Sequence, residues 1–420
     1  MDEPDLKFRA IAKNLSPETP IRSSEFLRGR DEDLNNVVRE LTYFQPVVFV
    51  YGPRGVGKTS FARTSAQLVN SSAIEHVYVA CAPGARMLQV FREIGEELLV
   101  RIFRSGAIED IKKSVEVEIS LTPAVRTSFE KQEPVLPKFE DSNSALRVLR
   151  DLDGLMPAKT VIVLDELEEL DESDRTDLAY LIKQVGDQEF QSKFVLVGIA
   201  SNVHELIGTH ESLPRYLKEV PLSPLSPEDL MEIVAKAAAE IEVEVPRDVL
   251  LRIAVVGNGF PHFAHLMGKA ILIEAVLNDS STVQSKIYRS GINRAVQDSL
   301  QELRISYEAA TQRGQDYFKH MIWALAHSDI VDLRIDDWIS LYMELCSEHS
   351  WPKATEKALR TAISNFSKEN HGQIISNTPA RYGATEMRYR YKRFTSTLMR
   401  GHVRLQAENE GTRLGRIEVL

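Results

Sequence analysis

Short apolar runs alternate with helical patterns through the first half of the chain. Val47–Tyr51, His76–Cys81, Thr160–Leu164, Phe194–Ile199 and Lys218–Leu222 read as strands, too short for helices and largely apolar on both faces. Leu34, Val37, Val38 and Leu41 recur at helical spacing within residues 31–45. Further helices are predicted from Lys58 to about Val69, over Arg86–Phe103 and over Asp174–Val185. Strands apolar on both faces and separated by helices predict an α/β fold, a five-stranded parallel sheet covered by helices on either side.

The pattern breaks between Ser105 and Asp141. There Val115, Val117 and Ile119 alternate with charge, and Pro123, Pro134 and Pro137 punctuate the rest, which predicts an insertion of hairpin and loop. Residues 1–25, with Pro4, Pro17 and Pro20, read as a loosely ordered lead-in. From Ser226 to about Thr311 the chain is helical throughout, and Ser226-Pro227-Glu228-Asp229 gives an N-terminal cap signal. Helices at about Asp316–Ala326, Ile335–Leu345 and Lys353–Lys368 precede extended stretches around Gln373–Ser376 and Glu386–Tyr391, then a last helix. Three helices followed by a hairpin is the layout of a winged helix. The expected domains are a lead-in (1–25), a sheet domain (26–224, insertion at about 105–141), a helical domain (225–311) and a winged-helix-like domain (312–420).

Composition adds limits. A chain of 420 residues exceeds one ordinary core, and 43% hydrophobic with 27% charged content is that of a folded protein. The acidic opening MDEPDLKFRA holds no apolar run, so no secretory leader is read, and no stretch approaches the roughly 18 apolar residues of a membrane span. Cys81 and Cys346 read as reduced thiols of a cytoplasmic protein, not as a disulfide or metal site. The net charge of −10 argues against wholesale coating of nucleic acid. Charge is uneven, however: residues 165–177 carry eight acids against one Arg, and residues 351–400 carry ten Lys/Arg against three acids. One basic end on an acidic chain is therefore expected.

The sharpest chemical signal is Gly52-Pro53-Arg54-Gly55-Val56-Gly57-Lys58-Thr59, which fits G-x-x-x-x-G-K-[ST] between a buried strand and a helix. In such a loop, backbone N–H groups through Ser60 cradle phosphate, aided by the helix N-terminus. Lys58 is expected on the β/γ-phosphates and the Thr59 hydroxyl on magnesium. The run from Thr160 to Glu166 is an apolar strand ending in two acids. Asp165 is expected in the magnesium shell and Glu166 beside the attacking water. Glu168, Glu169, Asp171, Glu172 and Asp174 read as a solvated loop and helix start. The ligands expected are ATP and Mg2+.

On these motifs the sequence resembles the AAA+ superfamily over residues 26–277. Within it, the resemblance is to the branch holding the origin-recognition/archaeal replication-initiator ATPases and the STAND signalling NTPases. The segment Phe26–Leu34 resembles the box ahead of the P-loop, which implies that Arg30 lines the adenine pocket. A sensor 1 role is implied for Asn202, with Ser201 the neighbouring alternative. Arg215 stands where these families carry an arginine finger, or is an exposed Arg paired with Glu211 or Glu219. Where initiators carry a sensor 2 Arg, the chain has His262, preceded by Gly259-Phe260-Pro261; Gly-x-Pro resembles the STAND pattern, with Pro261 near adenine. A neutral His does not replace a permanent Arg charge, so slow hydrolysis is implied. His262 and His265 also fit plain surface or core positions of a helix.

In the third helix of the C-terminal segment, Lys353, Lys357 and Arg360 share one face and Leu359, Ala362, Ile363 and Phe366 the opposite one. Arg388 and Arg390 alternate with apolar residues on the second extended stretch. These five are the candidates for double-stranded DNA contact; a solvated surface on a protein-interaction domain is the competing reading. The first functional expectation is a nucleotide-dependent switch controlling homo-oligomer assembly or binding of an effector or signal protein. The alternative is a DNA-binding initiator or loader. A metabolic P-loop kinase is the third, disfavoured by adjacent Asp165 and Glu166 and by the helical domain.

Overall fold

The apolar runs pair as five strands, β1 (Val47–Tyr51), β2 (Val77–Ala80), β3 (Val161–Asp165), β4 (Lys193–Gly198) and β5 (Leu217–Pro221). They form one parallel sheet in the order β2-β3-β4-β1-β5. The computed structural model of the chain describes residues 3–17, 27–69, 76–105, 136, 138–156, 158–187, 189–199, 215–312, 314–379 and 387–416. The chain divides into two units: Ile21–Pro53 with Lys58–Ser223, and Met1–Pro20 with Arg54–Gly57 and Pro224–Leu420.

In the sheet unit, every residue of β3 is buried, whereas the edge strand β5 buries Leu217 and Val220 and exposes Lys218 and Glu219. Central strands need apolar residues on both faces and edge strands do not, so burial follows strand order. Phe49 of β1 stands opposite Leu196 of β4, and Val163 of β3 opposite Val195 of β4 and Tyr78 of β2. Because all five strands run the same way, their carboxyl ends share one edge. At that edge β4 lies between β1 and β3.

The helices are numbered from α1 (Glu3–Asn14), which belongs to the other unit. The sheet unit holds α2 (Asp31–Arg39), α3 (Lys58–Val69), α4 (Met87–Arg104), α5 (Ser142–Gly154) and α6 (Arg175–Gly186). Helix α5 was not expected from the sequence. Asp141 caps it by accepting the Ser144 N–H at 2.7 Å, and Ala145, Leu146, Leu149 and Leu152 enter the core. The expected insertion falls mostly on residues 106–135, outside the described residues. Asp174, expected in a solvated loop, is buried instead. It accepts the Met87 N–H at 2.8 Å and Arg86 Nε at 2.7 Å, so it satisfies an orphan donor at the start of α4.

The second unit opens with α1, where a loosely ordered lead-in was expected; burial of Ile11 and Leu15 fixes it. It continues with α7 (Pro227–Glu240), α8 (Arg247–Gly257), α9 (Pro261–Leu277), α10 (Ser285–Gln297), α11 (Gln301–Thr311) and α12 (Tyr317–His327). Ser226 caps α7, accepting the Asp229 N–H at 3.1 Å. Then come β6 (Leu333–Arg334), α13 (Ile335–His349), α14 (Glu356–Phe366), β7 (Ile375–Pro379), β8 (Met387–Phe394) and α15 (Met399–Asn409). The last three strands form an antiparallel sheet in the order β6-β8-β7, one strand more than the two extended stretches expected. Helix α14 starts at Glu356 rather than Lys353, with Thr355 Oγ1 accepting the Ala358 N–H at 3.4 Å as its cap. The polar ends of the core aromatics are satisfied: Trp323 Nε1 donates to Tyr307 Oη at 2.9 Å and Trp338 Nε1 to the Met321 carbonyl at 2.8 Å. Buried Arg404 of α15 donates to the carbonyls of Ala326 (2.8 Å) and Val255 (2.7 Å) and pairs with Asp329 at 2.6 Å, tying α8, α12 and α15 together.

Candidate nucleotide site

The Gly-rich loop leaves the carboxyl end of β1 and runs into α3. Gly55 and Gly57 have φ of +89° and +92°, in the left-handed region that favours glycine. A Cβ at Gly52 would overlap the Leu222 carbonyl oxygen, so that glycine is required by close approach of two backbones. Lys58 is the first residue of α3; its buried side chain bends back and Nζ donates to the Pro53 carbonyl at 3.1 Å. Thr59 follows in the first turn.

Asp165 ends β3 and is buried. Both carboxylate oxygens are held: Oδ1 accepts the Glu166 N–H at 2.8 Å and Oδ2 accepts the Tyr78 hydroxyl at 3.0 Å. The Asp165 carbonyl accepts the Cys81 N–H at 2.9 Å, continuing the β2–β3 ladder. Burial, with Asp165 next, pushes the Cys81 thiol up to about 12, so it stays a neutral thiol at pH 7. Glu166 is exposed and sits at φ 57° and ψ 42°. A non-glycine residue in that region costs about 1–2 kcal/mol, and such strain clusters at functional sites. Just beyond, the Glu168 carboxylate accepts the Ile199 N–H at 2.9 Å, tying the loop after β3 to the end of β4. Glu168 is therefore part of the edge, not of a solvated loop. The carboxyl ends of β1, β4 and β3 lie side by side, and with them Gly52 and Pro53 after β1, the start of α3 at Lys58, Ile199 and Asp165–Glu166.

Other expected residues fall differently. Arg30 is buried at the start of α2 and donates to the Ser223 carbonyl just after β5, with Asp33 at 3.8 Å. Arg215 lies immediately before β5, exposed, its guanidinium 4.8 Å from the Tyr216 ring centroid. Asn202 and Ser201 lie outside the described residues. Pro261 is the first residue of α9, His262 packs edge-on against Phe263 at 5.2 Å, and His265 is buried in the core. Tyr78 is a contact that sequence reasoning missed. Arg63 of α3 stacks over its ring at 4.3 Å.

In the C-terminal segment Lys353, Lys357, Arg360, Arg388 and Arg390 are exposed. Lys353 lies in the connection before α14, so it does not share a helix face with the others. Arg360 is engaged by Asp336 at 2.6 Å and Glu356 at 2.8 Å. An open groove of about 630 Å³ follows α14, lined by Lys357, Arg360, Thr361, Asn365 and Lys368 among others. On β8 the Arg388 guanidinium lies 3.6 Å from the Tyr391 ring centroid, and Tyr389 is 72% exposed. Among the described residues, no helix is long and apolar enough to cross a membrane.

Residues 27–197 match the family model described as the AAA ATPase domain. No curated protein matches the chain. Among solved structures, the chain is similar to the Walker-type ATPase PABY2304 of Pyrococcus abyssi, at 17% identity, covering 92% of this chain and 99% of that one, with a TM-score of 0.52. It is also similar to the ORC2 protein of Aeropyrum pernix (14% identity, 96% and 98% coverage, TM-score 0.46). A further match is Cdc6p of Pyrobaculum aerophilum (15% identity, 94% and 98% coverage, TM-score 0.43). At 17% identity the first of these likenesses concerns the fold.

Proposed function

We propose that the chain, whose residues 27–197 match the AAA ATPase domain model, binds and hydrolyses ATP, and that its nucleotide state switches assembly or partner binding. The observation that carries this reading is the shared sheet edge. A loop with left-handed glycines opens into α3 at Lys58, and on the same edge stand buried Asp165 and strained Glu166.

The roles follow from that geometry. Backbone N–H groups of the loop and the first turn of α3 cradle the phosphates. Lys58 Nζ exchanges the Pro53 carbonyl for β/γ-phosphate oxygens. Among the described residues, no cluster of three or more His, Cys, Asp or Glu is placed to hold a metal alone. The donors present, the Asp165 carboxylate and the Thr59 hydroxyl, are hard oxygens, which suits Mg2+ held jointly with phosphate and water. When bound, the ion neutralises charge on the β- and γ-oxygens. Glu166, exposed at the edge, orients a water for in-line attack on the γ-phosphorus and takes its proton, releasing ADP and phosphate.

His262 in place of a permanent Arg supports slow turnover, as in a switch rather than a motor. Arg215, exposed beside β5, supports a finger acting on a second copy. The buried cysteines, neither in a disulfide, support a reducing compartment, the cytoplasm. A second reading, an initiator- or loader-like DNA binder with a C-terminal winged helix, is supported by exposed Lys357 beside the α14 groove and by Arg388 and Arg390 on β8.

The test is phosphate release from ATP with Mg2+ and no other acceptor. The parent should release phosphate, and Lys58→Ala should lose both release and nucleotide binding. Phosphate release only upon adding a small-molecule acceptor would turn the reading toward a kinase.

A further inference from the structure

Asp165 is held from outside its own strand by a residue no motif points to. Tyr78 sits two positions before the end of β2, opposite Val163, and Ala80 pairs with Asp165. Its hydroxyl therefore reaches forward along the edge to Asp165 Oδ2, at 3.0 Å. The opposite oxygen takes the Glu166 N–H at 2.8 Å. With one hydrogen bond on each oxygen, the carboxylate plane has no free rotation, and each oxygen keeps acceptor capacity toward the sheet edge. The ring is held in turn by Arg63, whose guanidinium lies 4.3 Å from its centroid. Arg63 is on α3, five residues beyond Lys58, so one chain of contacts joins the phosphate-loop helix to the acid at the end of β3.

We propose that Tyr78 is a positioning residue for the magnesium-bearing nucleotide: its hydroxyl holds the Asp165 carboxylate, which would help to hold the ion, in one orientation, and Arg63 holds Tyr78. The inference rests on the ATPase reading above. Outer-shell partners that orient a ligand typically change metal affinity by about 10–100-fold when removed. Loss of the Tyr78 hydroxyl removes one of two hydrogen bonds that hold the Asp165 carboxylate, the Glu166 N–H remaining, so an effect at the lower end, about 10-fold, is expected.

The experiment is binding of a fluorescent ATP analogue to the full chain, titrated with MgCl2 from an EDTA-buffered start, with ATPase rates read over the same titration. For Tyr78→Phe, which keeps the ring and removes the hydroxyl, the Mg2+ needed for half-maximal effect should rise about 10-fold. Metal-free nucleotide affinity should be unchanged. Arg63→Met, which keeps an unbranched apolar stem and removes the guanidinium over the ring, should shift the Mg2+ midpoint in the same direction by less. A midpoint within roughly two-fold of the parent in Tyr78→Phe, whatever happens to melting temperature or maximal rate, would make Tyr78 a packing residue and overturn the proposal. A parent chain that binds no nucleotide at any Mg2+ concentration overturns the ATPase reading itself, and this inference with it.

Discussion

The Glu408 carboxylate on α15 accepts Arg252 Nε of α8 at 2.7 Å, and both side chains are nearly fully buried, at 5% and 4% exposure. The Tyr288 hydroxyl of α10 donates to the other Glu408 oxygen at 3.0 Å, and Arg252 also donates to the Leu414 carbonyl at 3.0 Å. A buried pair is not strongly stabilising in itself, but removing one partner strands the other charge away from water. Glu408→Ala should therefore destabilise the chain by about 3–5 kcal/mol in denaturant unfolding, while Arg252→Met with Glu408→Leu should cost distinctly less. Equal losses in the two variants would mean that packing, not the stranded charge, sets the cost.

Glu166 gives the chemical prediction. It is the residue held in the left-handed conformation next to Asp165, and its side chain is exposed rather than packed in the core. Glu166→Gln should keep nucleotide affinity and lower the hydrolysis rate by about 10²-fold or more, the scale of a positioned general base. Wild-type hydrolysis in Glu166→Gln would remove that residue from the chemistry.

Much of the sheet unit was legible because its signals are local. Five apolar runs became five strands within a residue or two, and the glycine spacing gave the loop after β1 directly. What was not legible depends on approach between distant segments. Tyr78 meets Asp165 only because β2 and β3 pair in one register, and nothing in residues 76–81 announces it. Asp174 looked like one more acid in a run of eight, yet it is buried because α4 starts beside it. Arg360 shares its charge with Asp336 of another helix, which no single-helix pattern reveals. Helix α5 is different: the Asp141 cap and the apolar spacing of Ala145, Leu149 and Leu152 are local signals, but they directly follow a proline-punctuated stretch that reads as loop.

His402 predicts a pH dependence. It is fully buried on α15, beside the Tyr307 ring and 3.3 Å from Gln406 Nε2, and burial, then Arg304 and His262, lower its pKa from 6.5 to about 4. The folded value lies below the unfolded one, so the unfolded chain binds the proton more readily between them. Stability from this group is complete above about pH 6.5 and is lost as pH falls toward about 4. The loss amounts to about 3 kcal/mol. Comparing His402→Gln with the parent across that window should show a shallower fall in the variant; identical slopes would assign the acid sensitivity elsewhere.

Arg215 bears on assembly. Its guanidinium is exposed over the Tyr216 ring immediately before β5, and Tyr216 is itself anchored by donating to Asp187 at 2.7 Å. If it serves a second copy, Arg215→Ala should bind ATP normally and hydrolyse it about 10³-fold more slowly. Mixing Arg215→Ala with Glu166→Gln should then restore activity, because some interfaces pair an intact finger with an intact site. Light scattering with ATP and with ADP provides the independent readout. A chain that stays monomeric with ATP and ignores Arg215→Ala works as a closed switch instead.

The DNA reading makes a prediction sharpened by the ion pairs. Lys357 lines the α14 groove, Lys353 stands in the connection before it, and Arg388 and Arg390 are exposed on β8. Arg360 is not equivalent to them, because Asp336 and Glu356 both engage its guanidinium. Each Lys or Arg that neutralises a phosphate releases counterions, so the logarithm of affinity falls with the logarithm of salt by about 0.9 per neutralised phosphate. Replacing Lys353, Lys357, Arg388 and Arg390 together with Ala should weaken duplex binding and flatten that slope by roughly one unit for each phosphate no longer neutralised. Arg360→Ala should leave the slope almost unchanged, since that charge is already spent inside the molecule. Asp336→Ala should steepen it, because Arg360 then has only Glu356 beside it and can turn to phosphate. Fluorescence anisotropy of a labelled duplex at two salt concentrations measures all three. No binding by the parent at about 50 mM salt, where phosphate attraction is strongest, would sink the DNA reading.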